Sequence, residues 1–422
     1  MDNSRIDLKL LLRKKYLRII LPLFIGSIIA YIDRVNIAYA ALTMNADLGF
    51  SSRVFGLGSG IFFLGYVLFE VPGALIAERW SPRIWIARIM ITWGIISGSM
   101  AWITNAHQFY LVRFLLGAAE ASFYPVMYAS IIPRWFSSEE RPKALALMLT
   151  SLQISAIIGA PLAGWLLGIE ILNLKGWQLL FLIEALPAVI FGILIAYLIT
   201  DWPEQATWLT LKEKQYLKSC FEQETAAKKS IHSYTVWEAL GSLEVIKLCL
   251  IYFLWITGFW GFNYWMPTVL KEVSGWSNVV IGGMVVIPMG FALLAMVGVG
   301  YFSAKTGEKR WSGAIPMFLG AIGLGIGTYV SNPQINFFFV VLSAIGVYSA
   351  FGVWWSYPTT FLSGAAAAGA VGFINSFGNI GGYVGPFITG FTKDLTGSFS
   401  GAYILLSSFL VLAGLLMLTL KK

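Results

Sequence analysis

The chain has 422 residues, 58% of them hydrophobic and only 12% charged, where soluble domains average about 45–50% and about 25%. That balance excludes a soluble globular protein, and the apolar runs far exceed the roughly 10-residue alternating strands of an outer-membrane barrel, so the spans are helical. The net charge of +8 is no nucleic-acid signal, because the basic residues are scattered over connections rather than gathered on one face.

Twelve spans are expected in chain order, at about 16–42, 54–77, 83–104, 108–133, 143–168 and 177–200, then at 246–270, 278–303, 311–331, 334–362, 365–392 and 399–420. In the first, Asp33 and Arg34 sit roughly 22 Å from either flank at about 1.5 Å per residue, where an ionised side chain costs at least about 2.5–3.5 kcal/mol. Glu120 repeats the placement in the fourth span, with Arg113 two helical turns away on the same face. Deep intramembrane charge reads as proton and anion handling; the plainer alternative is a salt bridge holding spans one and four together. Glu70, in the inner half of span two near Arg79 and Arg83, and Glu184, close to the connection bearing Lys175, read as helix tethers.

The longest polar interval divides the chain into an N-terminal six-helix bundle (1–200), a cytoplasmic linker (201–245) and a C-terminal six-helix bundle (246–422). Thr210 and Glu213 fit a capping box that opens a linker helix, and a second amphipathic piece is expected at 236–243. The linker is expected to lie as a surface segment along the inner face of the membrane. Spans seven to twelve carry no ionisable residue well inside them. Their polar groups are Asn263, Tyr264, Tyr348, Ser356, Tyr357, Asn375 and Asn379, with Trp354 and Trp355, so the first half is expected to handle charge and the second to grip substrate hydroxyls or a ring. Cys220 and Cys249 read as free thiols.

Among the 29 Lys and Arg, only Arg53, Lys175, Lys271 and Lys393 fall on one side, with Arg34 and Arg113 inside the membrane; the rest fall on the side of both termini. The positive-inside rule makes that side cytoplasmic, and the cell's inner (plasma) membrane is the expected location. The halves also look like copies. Gly73 to Arg83 and Gly300 to Arg310 correspond, as do the Gly-Ala-Pro161 and Gly385-Pro386 segments, at a shared offset of about 225 residues, which points to a six-plus-six repeat.

Those connections resemble the loop signature of the major facilitator superfamily. Tyr31-Ile-Asp33-Arg34-Val-Asn36, Phe63-Leu-Gly65-Tyr66, Arg113 through Gly117 to Glu120 and Pro125, Asp201-Trp-Pro203-Glu204, and the run from Trp355 to Gly382 are similar to its anion:cation symporter family. The resemblance implies an all-α integral membrane protein with twelve transmembrane helices in two bundles around a central cavity. It further implies proton-coupled import of a small organic anion, such as a sugar acid or carboxylate, by alternating access. On matching positions, Asp33 and Glu120 carry the coupling protons. Arg34 and Arg113 serve substrate binding, with Tyr31, Tyr66, Gln153, Trp355, Asn375 and Asn379 lining the substrate, and Glu78, Arg79, Arg83, Lys305, Lys309 and Arg310 form the gating loops. Glu78, Ser81, Ala74 and Ala304 depart from the loop pattern, which could loosen the latches but leaves the buried site intact.

On the residues alone, Asp33 and Glu120 are expected to pair with Arg34 or Arg113 when deprotonated, and protonation to free a guanidinium for the substrate. No phosphate-binding loop, metal cluster or nucleophile constellation appears, so no enzyme, metal or cofactor beyond the coupling proton is expected. The partners expected are the anion, protons and lipid, with a monomeric chain. The other readings are an anion-binding receptor and, on the same fold, a sodium-coupled transporter, an exchanger or an effluxer.

Overall fold

Serine caps and left-handed glycines mark where one helix ends and the next begins. Ser51, Ser242 and Ser277 each accept a backbone N–H of the first turn they open, while Gly49, Gly275 and Gly307 close helices at φ of 67°, 68° and 73°. The computed structural model describes residues 6–229, 241–357 and 364–420. Thirteen helices organise them. The first six are α1 (Leu8–Leu48), α2 (Ser52–Arg79), α3 (Pro82–Trp102), α4 (Ala106–Trp135), α5 (Arg141–Leu166) and α6 (Gly176–Leu198). The linker helix α7 (Leu211–Lys229) follows, then α8 (Leu243–Ser274), α9 (Asn278–Thr306), α10 (Arg310–Gly327), α11 (Pro333–Trp354), α12 (Gly364–Thr396) and α13 (Ser400–Leu418). Ten of them are long and apolar enough to cross a membrane, and α10 and α12 complete two sets of six.

The two bundles, α1–α6 and α8–α13, meet along α2 with α12, α5 with α9, and α1 with α8. At the end opposite the linker they are in backbone contact. Asp394, in the last turn of α12, accepts the amide N–H groups of Ser52 and Arg53 at 3.0 and 2.9 Å, and Lys271 donates to the Leu42 carbonyl at 3.2 Å. A Cβ on Gly164 of α5 would lie 2.5 Å from the Asn278 carbonyl of α9, so only glycine lets these helices approach so closely.

At the linker end, among the described residues, the contacts of the signature loops stay within each half. Arg134 donates to Glu78 at 2.7 Å, Arg83 lies 3.7 Å from Asp201, and Lys309 donates to the Ser356 carbonyl at 3.4 Å. Arg79 and Lys305 are exposed, and among the described residues no hydrogen bond or ion pair joins the two signature loops. The bundles therefore meet at one end, while the described signature-loop contacts at the other stay within one half.

The capping box forms as expected. Glu213 accepts the N–H and hydroxyl of Thr210 at 2.8 and 3.1 Å. Lys14 and Arg141 donate to Glu213 and Glu224 at 2.8 and 2.6 Å, pinning α7 to the first bundle. The second amphipathic piece falls largely outside the described residues.

Candidate functional site

Successive residues on a helix are turned by about 100°, so neighbours in sequence face different surroundings. On α1, Tyr31 and Arg34 look toward the second bundle, whereas Asp33 and Asn36 look back into the first. Arg34 is 8% exposed and forms an ion pair with Glu120, itself 2% exposed. Its guanidinium carbon lies 5.3, 5.1 and 5.3 Å from the ring centroids of Phe62, Tyr66 and Tyr124, and 6.0 Å from that of Trp260 across the bundle interface. Such faces attract a cation by about 2 kcal/mol or more when water is excluded. Among the described residues the Arg34 Nε has no acceptor, which leaves the guanidinium a donor for a ligand.

Arg113 stands on the other side of Phe62, 5.0 Å from that ring. It donates to the Gly58 and Ser59 carbonyls at 3.4 and 3.3 Å and to the Tyr264 hydroxyl at 3.4 Å, and it has no carboxylate partner among the described residues. Two guanidiniums thus share one aromatic wall, and Glu120 forms its ion pair with Arg34 while also feeling the charge of Arg113.

The backbone breaks at this point. Ala121 leaves the helical region and Ser122 sits at φ 70°, a conformation disfavoured for a residue with a Cβ. Pro125 has no N–H to repair the ladder, and α4 resumes as a π-helix over Val126–Ile131. Trp85 holds the break by donating to the Ser122 hydroxyl at 3.1 Å. The fourth span is therefore discontinuous immediately after its carboxylate, where a continuous helix was expected.

The other expected lining residues are distributed around the bundle interface. The hydroxyls of Tyr31 and Tyr348 are 3.2 Å apart, and Tyr348 donates to Asn263 at 2.6 Å, a polar chain from α1 through α11 to α8. Gln153 is fully buried and donates to the Met296 sulfur at 3.4 Å, with its own oxygen unpartnered. Asn375 and Asn379 both donate to Glu70, at 2.6 and 3.4 Å, across the α2–α12 interface. Glu70 is thus a helix tether, as expected, with its partners on α12, so that it ties the two bundles to one another. Trp355 packs edge-on against Tyr252 at 5.3 Å and is not among the rings around Arg34.

Asp33 departs from expectation. It pairs with no guanidinium among the described residues; it accepts the Trp93 indole N–H at 2.8 Å, with the Ser97 hydroxyl at 3.4 Å and the Asn36 amide at 3.5 Å. The cause is helical phase, since the turn that aims Arg34 at Glu120 aims Asp33 at α3. Glu184 shows no tethering ion pair or hydrogen bond among the described residues. Phe62, Tyr124 and Trp260 were not foreseen. For two of them the signal was the helical spacing: Phe62 and Tyr66 are four apart, as are Trp260 and Tyr264, whereas Tyr124 lies beyond the break after Glu120 and had no such signal.

A pseudo-repeated pair of six-helix bundles, with guanidiniums and a carboxylate buried where they meet, defines a polytopic membrane transporter. The Major Facilitator Superfamily profile matches residues 23–386, and the chain belongs to that superfamily. A protein of Agrobacterium vitis named "Putative tartrate transporter" is 42% identical over 423 residues, covering 100% of this chain and 96% of its own length. A quinolone resistance transporter of Acinetobacter baumannii is 36% identical over 403 residues, covering 95% and 92%. Among solved structures, the xylose transporter XylE from E. coli, in a partially occluded inward open conformation, superposes with a TM-score of 0.75 at 16% identity over 97% of this chain and 98% of that one, a likeness of fold alone. Relatives and fold are those of transporters, so the chain is not an enzyme.

Proposed function

We propose that this protein imports a small organic anion together with protons, by alternating access across the cell's inner membrane. The reading is carried by the Arg34–Glu120 ion pair, buried at the bundle interface inside a cage of aromatic rings. A proton taken up by Glu120 cancels its charge and frees the guanidinium, and a substrate carboxylate takes the vacated place in a two-pronged fork. Arg113, which forms no ion pair among the described residues, supplies the second cation across Phe62. Proton and anion then favour each other's binding, and thermodynamic linkage makes the effect reciprocal. Asp33 is the second coupling acid, removed from the substrate by the thickness of α1.

Tyr31, Tyr66 and Gln153 line the substrate, and Asn375 and Asn379 reach it when they leave Glu70. The end where the bundles meet faces outward, as the positive-inside rule requires, and the loops bearing Glu78, Arg79, Arg83, Lys305, Lys309 and Arg310 join when the protein opens the other way. The only coupling species is the proton, and one chain suffices. The name of the A. vitis relative directs the first assay to tartrate.

The test is uptake into proteoliposomes. Acid outside should drive accumulation of the anion above its external concentration, and a protonophore should abolish it. Accumulation that follows sodium instead, or binding with no counterflow, would replace the reading with sodium coupling or with a receptor. The quinolone resistance relative makes export the second reading, and it is separated by the sign of the proton gradient that drives net movement.

A further inference from the structure

Arg88 of α3 is a cation to which the described residues supply no anion. Its guanidinium carbon lies 4.0 Å from the ring of Trp85, one turn nearer the helix start, and its Nε is buried without an acceptor. The acids at this end are already engaged: Glu78 accepts from Arg134 at 2.7 Å, and Asp201 accepts the Ser81 hydroxyl and the Arg83 N–H at 2.5 and 2.9 Å. Arg88 stands well past Pro82, the first residue of α3, about 9 Å into the span at about 1.5 Å per residue. Ile95, two turns further along the same face, is 62% exposed, so this face of α3 looks out of the bundle toward lipid. Helix side chains lean toward the N-terminus, here the cytoplasmic end by the positive-inside rule, which carries the guanidinium back toward the inner headgroups. Trp80, itself exposed, meets Trp85 edge-on with ring centroids 6.3 Å apart, and tryptophan favours that same headgroup level.

We propose that Arg88 and Trp85 bind the phosphate of an anionic phospholipid of the inner leaflet, on the outer surface of the first bundle and apart from the Arg34–Glu120 pair. The planar guanidinium suits two oxygens of a phosphate, and the indole beneath it holds that plane in place. The site reaches the interior through one residue. Trp85 also donates to the Ser122 hydroxyl at 3.1 Å, and Gly73 of α2 closes on the same oxygen, where a Cβ would come to 2.5 Å. A lipid seated on Trp85 therefore steadies the break in α4 that follows Glu120.

Lipid binding is measured without transport, so it stands or falls apart from the symport reading. Native mass spectrometry of the full-length protein, titrated with phosphatidylglycerol in detergent, counts the lipids retained. Arg88→Gln should weaken the tightest binding event by roughly 5-fold, the factor that one basic residue near an anionic surface is worth. Arg88→Lys should recover part of that loss, an arm that stands even if Arg88→Gln folds poorly. Lys9→Gln, which removes an exposed charge on the same side of the membrane, should leave the event unchanged. Equal retention by the wild type and both Arg88 variants overturns the proposal, as does an equal loss in Lys9→Gln, which would reduce the effect to general charge. Glycerophosphoglycerol, the same headgroup without acyl chains, should not compete; competition by it or by inorganic phosphate would make this a site for a soluble anion and overturn the lipid assignment. Trp85→Phe keeps a ring beneath Arg88 but removes the indole N–H, so it should retain the lipid while abolishing the dependence of counterflow on phosphatidylglycerol content. Wild-type counterflow indifferent to that content would overturn the link to the α4 break.

Discussion

Glu120 of α4 and Arg34 of α1 form their ion pair one residue before the α4 backbone breaks at Ala121 and Ser122. The break makes the carboxylate the last residue of the Ala106–Glu120 segment, so gain or loss of its partner can be transmitted to the rest of α4 beyond the break. Breaking a buried pair by removing one member costs about 3–5 kcal/mol, because the other charge is left uncompensated. Glu120→Gln should therefore abolish proton-driven accumulation while counterflow exchange of the anion persists. The ratio of the two in one vesicle preparation is the measurement.

Arg34→Lys keeps the charge but loses the planar fork and much of the stacking on Phe62, Tyr66 and Tyr124. Hydrogen bonds to charged groups are worth about 1.5–3 kcal/mol, so anion affinity should fall by roughly 10- to 100-fold. Titration calorimetry on the purified protein reads this. Arg113→Lys should cost less, since that guanidinium is held by neutral acceptors at 3.3–3.4 Å.

Glu70 joins α2 to α12 through Asn375 and Asn379. Glu70→Ala and Asn375→Ala should each lower thermal stability, and a double-mutant cycle should return a coupling of about 1 kcal/mol or more. A coupling near zero would mean that the contact does not hold the bundles together.

Gly282 of α9 packs on the Ala160 carbonyl of α5, opposite Gly164. A methyl group at this contact overpacks the end where the bundles meet, at a typical cost of about 1–3 kcal/mol. Gly282→Ala should shift the population toward the arrangement open at that end, seen as faster labelling of a cysteine placed at position 42 by an impermeant maleimide.

The docking of α7 should depend on acid. Burial alone would raise the Glu213 carboxyl, but the Lys14 ammonium and the Thr210 N–H and hydroxyl outweigh it and hold the group below its ordinary value. A carboxyl depressed in the folded state contributes its full stabilisation above the unfolded value of about 4.3 and loses it as pH falls through the folded one. Hydrogen exchange in α7, corrected for its intrinsic rate, should rise as pH drops below about 4. Glu213→Gln should flatten that dependence.

Sequence alone determined the membrane class, the twelve spans, the two-fold repeat and the presence of acid and guanidinium groups at mid-bilayer depth. Each follows from local quantities: run length, charge placement and the cost of burying an ion. Tertiary structure decided which partner each group takes. Asp33 and Arg34 lie at the same depth yet meet Trp93 and Glu120 respectively, and Glu70 finds two asparagines some 300 residues away rather than the arginines nearby in the chain. The reason is that helical periodicity states which residues share a face, whereas the neighbour that face meets depends on how all the helices pack together, and the charge of a single residue carries no record of that.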